Sequence, residues 1–197
     1  MAVARYDSSH KSETRRRIIE SAGRRLKRDG IDGSGIAALM SDAGLTNGAF
    51  YAHFGSKDDL VANVVADQLE IQAATMKALP PGRESIEQFI REYLSPGHRD
   101  QPAGGCPSAA LLDEIGRCNA EIRDGYTSGV QAIIDAVASH LSPPDPAAAR
   151  NRAIGLFTLI VGSLQFARAV SDPALSDEVL ETGISTAIEL LNLDRPS

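Results

Sequence analysis

The chain has 197 residues, of which 43% are hydrophobic and 23% charged, so it can bury a core and most of it is not disordered. Its net charge of −6 excludes a protein that coats nucleic acid over its whole surface. An aromatic content of 5%, with no tryptophan, argues against a stacking platform for single strands. Two cysteines are too few for a disulfide framework. This low number fits a reducing compartment and predicts a cytoplasmic location. The longest apolar run, about residues 153–161, falls short of the roughly 20 residues that cross a bilayer, so no membrane partner is expected.

Charge is distributed unevenly along the chain. Residues 1–60 carry ten Lys/Arg against eight Asp/Glu, whereas residues 61–197 carry ten against eighteen. Nine of the ten N-terminal cations lie between Arg5 and Arg28. A basic end on an acidic body indicates that one small region binds an anion while the rest serves another purpose.

Capping residues and glycines divide the chain into predicted helices. Residues 1–11 are expected to form a flexible basic arm, and Ser12 caps a first helix that ends at Gly30. Ser34 is a candidate cap for the second helix, and Gly44 stops it. No segment alternates as a strand would. The fold class is therefore all-α, with about nine helices, predicted at residues 13–29, 36–43, 47–54, 57–76, 84–94, 107–117, 120–141, 146–170 and 176–193 and separated by loops that include 95–105, 142–145 and 171–175.

Residues 36–54, IAALMSDAGLTNGAFYAHF, predict two short helices joined by a tight turn. This is the helix-turn-helix arrangement, in which the second helix enters the DNA major groove by its N-terminal residues. That helix opens with Thr46-Asn47-Gly48-Ala49, short residues that let the backbone approach phosphates and let side chains reach base edges. A purely structural helix pair is the alternative, and it would be expected to carry a larger apolar face.

The residues that follow favour DNA binding. Phe50 and Phe54 can pack back on the first helix, which leaves Tyr51 and His53 on the groove side. Lys57 stands in the first turn of the next helix, where a cation is unfavourable unless an anion such as a phosphate shares the site. The plainer interpretation of Lys57 and His53 is that they are solvated surface side chains.

Residues 12–60 resemble the DNA-binding domain of the TetR family of bacterial transcriptional regulators. The resemblance includes the opening segment SETRRRIIESAGRRLKRDG and the family pattern of Ala-Gly, a capped recognition helix, Tyr-x-x-Phe and Ser-Lys-x-x-Leu. The pattern is met by Ala43, Gly44, Thr46, Tyr51, Phe54, Ser56, Lys57 and Leu60.

The resemblance implies an obligate homodimer that binds a double-stranded DNA operator. It implies a three-helix DNA-binding domain, at residues 12–58, and a larger helical effector-binding and dimerisation domain, at residues 59–197. It also implies that Tyr51 and Lys57 contact phosphates and that residues 46–49 and His53 line the groove. The candidate DNA-contacting residues are Ser34, Thr46, Asn47, Gly48, Ala49, Tyr51, His53 and Lys57.

Residues 153–170, AIGLFTLIVGSLQFARAV, are apolar nearly all round, which indicates a helix buried on two sides. Because the resemblance implies dimerisation through the last two helices, one side of this helix is expected to face the partner. An internal core helix in a monomer is the alternative. The predicted dimer contacts are Phe157, Val161, Leu164, Ile184, Ile188 and Leu191.

The segment at residues 98–117, HRDQPAGGCPSAALLDEIGR, resembles one branch of the family, in which Gly-Cys-Pro opens a helix. Cys106 is then expected at a helix N-terminus, which lowers the pKa of a thiol. Cys118 lies about 18 Å further along that helix, too far for a disulfide. Cys106 is either a sensor of oxidants or electrophiles or a small buried residue that packs the helix start.

The resemblance also implies a pocket for a small-molecule effector between the helices of the body. Large apolar side chains in such a pocket favour a mostly apolar or aromatic compound. Each of these residues is also a candidate for plain core. The candidate pocket residues are Phe89, Tyr93, Cys106, Leu111, Tyr126, Phe157 and Phe166.

Together these features predict a ligand-responsive DNA-binding repressor, released from a pseudo-palindromic operator by a small molecule or by modification of Cys106. An enzyme is the second hypothesis, but the four histidines lie far apart and no HExxH, CxxC, GxSxG or phosphate-binding glycine loop is present. No catalytic residue, metal or cofactor is therefore predicted. A helical adaptor that binds protein instead of DNA is the third hypothesis, and it leaves residues 46–57 and the basic first helix unexplained.

Overall fold

The computed structural model describes residues 2–141 and 146–192. Over these residues the chain forms nine α-helices, two short 3-10 helices and no strand, so the predicted all-α fold is confirmed. The loop predicted at 142–145 and the end of the last predicted helix, residue 193, lie outside the described residues. The α-helices are α1 (Ala2–Asp29), α2 (Ile36–Asp42), α3 (Lys57–Ala78), α4 (Arg83–Tyr93), α5 (Pro96–Asp100), α6 (Pro107–Arg117), α7 (Ala120–Leu141), α8 (Pro146–Ala169) and α9 (Pro173–Asn192), and the 3-10 helices are Asn47–Ala52 and Pro102–Gly104.

Helix α1 begins at Ala2 instead of after Ser12, so the arm expected at residues 1–11 belongs almost entirely to this helix. No glycine or proline interrupts the sequence between Ala2 and Ala22, and extending a helix costs far less than starting one. The capping signal at Ser12 is therefore overridden. As predicted, α1 ends at Gly30, whose φ of 81° is the left-handed conformation of a C-terminal glycine.

Two further helix starts differ from the prediction for a common reason. The loop predicted at residues 95–105 contains α5, whose first turn holds Pro96 and is capped by the hydroxyl of Ser95. Helix α9 begins at Pro173, earlier than predicted, because the carboxylate of Asp172 accepts a backbone N–H hydrogen bond of 2.9 Å there. A capping residue followed by proline is thus a sequence signal for both starts.

The N-terminal unit is built on one buried face of α1. Ile18 and Leu26 on this helix are fully buried, together with Leu39 and Met40 of α2. Phe50 of the first 3-10 helix is also fully buried. These contacts fix the two short helices relative to α1, which leaves their polar residues on the outside.

The body is connected to this unit through α3, whose first turn belongs to the N-terminal unit and whose remainder packs chiefly against α7. Helix α8 packs chiefly against α9. No helix in the described part of the chain is both long enough and apolar enough to cross a membrane.

Candidate nucleic-acid interface and effector cleft

A tight turn separates α2 from the first 3-10 helix. Gly44 has a φ of 69°, a conformation that side chains rarely adopt, and Leu45 N donates to Met40 O (2.9 Å) across the turn. Thr46 then stands in an extended conformation as the N-terminal capping residue, although its side chain makes no capping hydrogen bond. The predicted second helix is therefore present, in a tighter and shorter form, at Asn47–Ala52.

The structure exposes the opening residues of this short helix. Thr46, Asn47 and Gly48 are exposed, and Ala49 is half-buried. Tyr51 is 71% exposed, although its ring packs edge-on against Phe50 with 5.2 Å between centroids. An exposed polar segment is thus held in place from beneath by a buried aromatic side chain.

Tyr51 and His53 lie between two buried phenylalanines that anchor this segment. Phe50 and Phe54 are 0% and 2% exposed, with their ring centroids 5.8 Å apart. Arg15 of α1 lies over the Phe54 ring, with 4.7 Å from the guanidinium carbon to the centroid. The anchors therefore tie residues 46–54, the recognition segment, to α1.

His53 is half-buried, and its Nδ1 is buried without a hydrogen-bond partner among the described residues. Burial, followed by the positive charges of Lys11 and Arg15, lowers the pKa of His53. The imidazole is therefore neutral at pH 7, when one ring nitrogen donates and the other accepts a hydrogen bond.

Lys57 is placed by a reciprocal capping arrangement at the start of α3. Ser56 Oγ accepts a hydrogen bond from Asp59 N (3.0 Å), and Asp59 Oδ2 accepts one from Gly55 N (2.8 Å). Lys57 is half-buried and forms no ion pair with any residue that the structure describes. An anion bound here would offset the unfavourable position of a cation at the positive end of a helix.

Ser34 requires a correction. Its side chain is fully buried, and its hydroxyl donates to Gly30 O (2.7 Å) within the loop that follows α1. Gly35, not Ser34, is the N-terminal capping residue of α2, and no side chain caps this helix. The loop folds back on the end of α1, so the Ser34 hydroxyl stabilises the loop and does not reach the surface.

A cleft of about 600 Å³ lies between α1, α3, α4 and the segment that precedes α6. Three of the predicted pocket residues, Phe89, Tyr93 and Cys106, line it. The rings of Phe89 and Tyr93 pack with 5.6 Å between centroids. Ile71 of α3 adds a side chain that is 59% exposed, so the cleft has an apolar wall open to solvent.

The other predicted pocket residues do not line this cleft. Leu111 and Phe157 point into the core, where they are 2% and 9% exposed. Tyr126 is half-buried, and its hydroxyl is hydrogen-bonded to Ser108 Oγ (3.0 Å). Phe166 is 56% exposed on the outer surface of α8. Only the size of their side chains predicted them, and size does not show which side of a helix is open.

Cys106 lies at the floor of the cleft as the capping residue of α6 and is 6% exposed. Its backbone N–H donates to His98 Nε2 (3.1 Å), while His98 Nδ1 donates to Tyr93 O (2.7 Å). Its thiol donates to Gln72 Oε1 (3.4 Å). Cys118 ends the same helix, so the structure confirms that the two thiols lie at opposite ends of α6.

The sequence analysis missed two cations near Gly105 because distant segments supply them: Lys27, which lines the cleft, and Arg168, which lies beside it. Lys27 of α1 donates to Gly105 O (2.7 Å). Arg168 of α8 donates to His98 O (2.7 Å). The one available signal was Arg168 itself, an arginine inside an apolar run.

The predicted dimer contacts also need correction. Phe157, Val161, Leu164 and Leu191 are 9%, 3%, 0% and 2% exposed within the single chain, so they belong to its own core. Ile184 and Ile188 are half-buried, with Arg91 of α4 beside them.

A different surface of α8 and α9 is apolar and open. The two helices enclose a groove of about 510 Å³ on the outer side of the body. Phe166 and Leu175, which line it, are 56% and 41% exposed. Gly162 and Ser163, small residues expected to allow close approach, also lie here.

A helix-turn-helix unit that packs on a larger all-α body is an architecture typical of DNA-binding regulators. Residues 18–64 match the family model described as bacterial regulatory proteins, tetR family. The chain is 32% identical over 62 residues to the HTH-type transcriptional regulator AcrR of Shigella flexneri, a match that covers 32% of this chain and 29% of AcrR. It is 25% identical over 117 residues to the HTH-type transcriptional regulator LmrA of Bacillus subtilis (strain 168), covering 57% of this chain and 62% of LmrA. These matches span less than two thirds of either relative.

The fold is similar over nearly the whole chain to the reduced form of NemR from E. coli. The TM-score is 0.76 at 18% identity, over 90% of this chain and 96% of that one. Over its helix-turn-helix unit the chain therefore matches the TetR family of transcriptional regulators.

Proposed function

We propose that this chain is a ligand-responsive repressor that binds a pseudo-palindromic DNA operator as a homodimer. The observation that carries the proposal is the exposed polar segment of residues 46–49, anchored by buried Phe50 and followed by exposed Tyr51. Such a segment is suited to the major groove. Tyr51 and Lys57 contact phosphates, while residues 46–49 and His53 read base edges.

Dimerisation is proposed to bury the groove between α8 and α9 against the same groove of a second copy. Exposed Phe166 and Leu175 supply apolar area, and Gly162 lets the backbones approach closely. A two-fold pair presents two recognition segments to half-sites about one helical turn apart. The regulation then follows as a population shift: occupation of the cleft favours a spacing of the two segments that no longer fits the operator.

Replacing Lys57 by Ala is expected to weaken binding to every DNA sequence and to lower the magnitude of the salt slope by about one. The measurement is selection of genomic fragments by the purified protein, followed by titration of the enriched site at several salt concentrations. Replacing Asn47 by Ala should instead change which sequences are selected, because Asn47 is proposed to contact base edges.

Lys77→Ala is the matched control, since Lys77 is an exposed lysine in the last turn of the same helix. It should leave both selection and salt slope unchanged. Equal losses on all sequences from the Lys57 and Asn47 variants would contradict the assigned roles. A wild-type protein without salt-dependent DNA binding would favour the adaptor hypothesis instead.

Covalent modification of the Cys106 thiol is a second proposed way to release the protein from its operator. Its position on the floor of the cleft means that an adduct on its thiol must displace the neighbouring Gln72 side chain or occupy the cleft. Alkylation with iodoacetamide in a Cys118→Ser background is expected to lower operator affinity about tenfold or more. Mass spectrometry would establish the adduct and fluorescence anisotropy the affinity. Complete alkylation of Cys106 with unchanged affinity would leave it as a packing residue only.

A further inference from the structure

The cleft is electrically polarised along its length. Glu20 and Asp67 line one part of it, where burial, then the neighbouring charges of Glu20 and Glu70, raise the pKa of Asp67. Lys27 lines the other part, seven residues after Glu20 on α1 and therefore about 10 Å further along that helix. Arg24 and Glu92 also line the cleft, so its polarity rests on Glu20 and Asp67 in one part, the acidic end, and on Lys27 in the other, the basic end.

Two cations lie at or beside the basic end without a carboxylate partner among the described residues: Lys27, which lines the cleft, and Arg168, which does not line it but lies close to Gly105. Lys27 donates to Gly105 O (2.7 Å), and Arg168 donates to His98 O (2.7 Å) and Ala109 O (3.1 Å). All these acceptors are neutral carbonyls. Burial lowers the pKa of both cations, that of Lys27 to about 8. Both cations are half-buried, and a partly desolvated cation that lacks a counter-charge is costly, so this end favours an anion.

Gly105 brings the two cations together. The Lys27 ammonium bonds its carbonyl, and a Cβ atom at this glycine would lie 3.4 Å from Arg168 Nη2 and 2.3 Å from His98 Nε2. The close approach therefore requires glycine at this position. His98 accepts from Cys106 N and donates to Tyr93 O, so both nitrogens of its neutral ring are occupied and it is not a counter-charge for either cation.

A buried donor at the same end also lacks an acceptor. Tyr93 lines the cleft and is 4% exposed, and its hydroxyl has no hydrogen-bond partner among the described residues. Burial, followed by the effect of nearby Cys106, raises the pKa of Tyr93, so the phenol keeps its proton and remains a donor. An unpaired buried hydroxyl costs free energy that an incoming acceptor would recover.

We infer that this end of the cleft binds the carboxylate of a small organic acid, with Tyr93 and Lys27 as donors and the apolar body of the acid against Ile71 and Phe89. A carboxylate offers two acceptor oxygens, one for each donor. The acidic end of the cleft repels the same group, so it fixes the orientation of the ligand. The inference rests on the proposed function and names the class of effector that this function requires.

The test compares three acids with their uncharged primary amides: benzoate, 2-naphthoate and octanoate. Isothermal titration calorimetry on the full chain measures each pair under the same conditions. At least one acid is expected to bind about tenfold more tightly than its amide, the usual effect of replacing a neutral acceptor by a charged one. Lys27→Met should abolish this preference, and Tyr93→Phe should reduce it.

Lys77→Met, which removes an exposed lysine away from the cleft, should leave the preference intact. Thermal melting followed by circular dichroism shows whether each variant is folded, and Tyr93→Phe keeps the packing of the ring if Lys27→Met does not fold. Equal binding of acid and amide, or no binding of any acid at millimolar concentration, would overturn the inference. Operator binding by the ligand-free protein is measured separately, so the failure of one proposal does not hide the failure of the other.

Discussion

Replacing Phe166 by Asp is expected to dissociate the dimer and to abolish high-affinity operator binding. Phe166 is the most exposed large apolar side chain of the groove between α8 and α9. A carboxylate there loses the apolar contact and must be desolvated against its symmetry mate, where like charges repel. The dimer dissociation constant should rise about a hundredfold, the range of a central interface residue.

Sedimentation equilibrium measures the association, and anisotropy with a two-half-site duplex measures DNA binding. Leu112→Asp is the matched control, because Leu112 is a comparably exposed apolar residue (38%) on α6, outside the groove. It should leave the dimer intact. A Phe166→Asp protein that remains dimeric would show that the groove is not the interface. A monomer that binds the duplex as tightly as the wild type would refute the two-fold mechanism instead.

The recognition segment was predictable because its signals are local. Gly44 marks the turn by the conformation that it must adopt, and Ser56 is a capping residue that marks the start of α3. Phe50 and Phe54 could be placed on the buried side because they stand among small and polar residues. Each of these inferences needs only a few neighbouring residues of sequence.

Ser34 was misplaced because its environment depends on a loop and not on a helix. Serine before a short helix is a frequent cap, and no local pattern indicates that the loop turns this hydroxyl toward Gly30. The dimer contacts failed for another reason. A helix that is apolar nearly all round has no periodicity to show which side faces its own domain. In the structure its larger residues, such as Leu164, are buried in the core of the single chain.

The cleft could be predicted only in part, because its basic end is assembled from distant segments. Tyr93 and Cys106 lie near each other in sequence and were both expected there. Lys27 and Arg168 are separated by most of the chain, and only the packing of α1 and α8 about Gly105 brings them together. Sequence patterning shows the face of each helix, but it does not show which helices share a cleft.

Helix α6 connects this cleft with the DNA-binding unit, and the connection depends on Glu114. The helix begins at Cys106 on the floor of the cleft and, with 11 residues, is about 16 Å long. Near its other end, Glu114 Oε2 accepts hydrogen bonds from Ile31 N (2.7 Å) and Asp32 N (3.2 Å) in the loop between α1 and α2. We therefore expect a displacement of α6 at the cleft to reach the N-terminal unit through this carboxylate, which is bound to two backbone N–H groups.

Glu114→Ala is expected to uncouple the two sites. Removing the carboxylate leaves two backbone donors without their partner, which should lower the free energy of unfolding by about 1–3 kcal/mol. Operator affinity of the unmodified protein should change little, because the recognition segment keeps its own anchors, whereas the loss of affinity on Cys106 alkylation should largely disappear. Glu114→Gln is the matched control: its remaining carbonyl oxygen can accept from Ile31 N, so most of the response should return. If Glu114→Ala responds to alkylation as fully as the wild type does, the coupling must run through another contact near the end of α6. The next candidate is the hydrogen bond from Asn119, just after α6, to Asp58 at the start of α3 (2.9 Å).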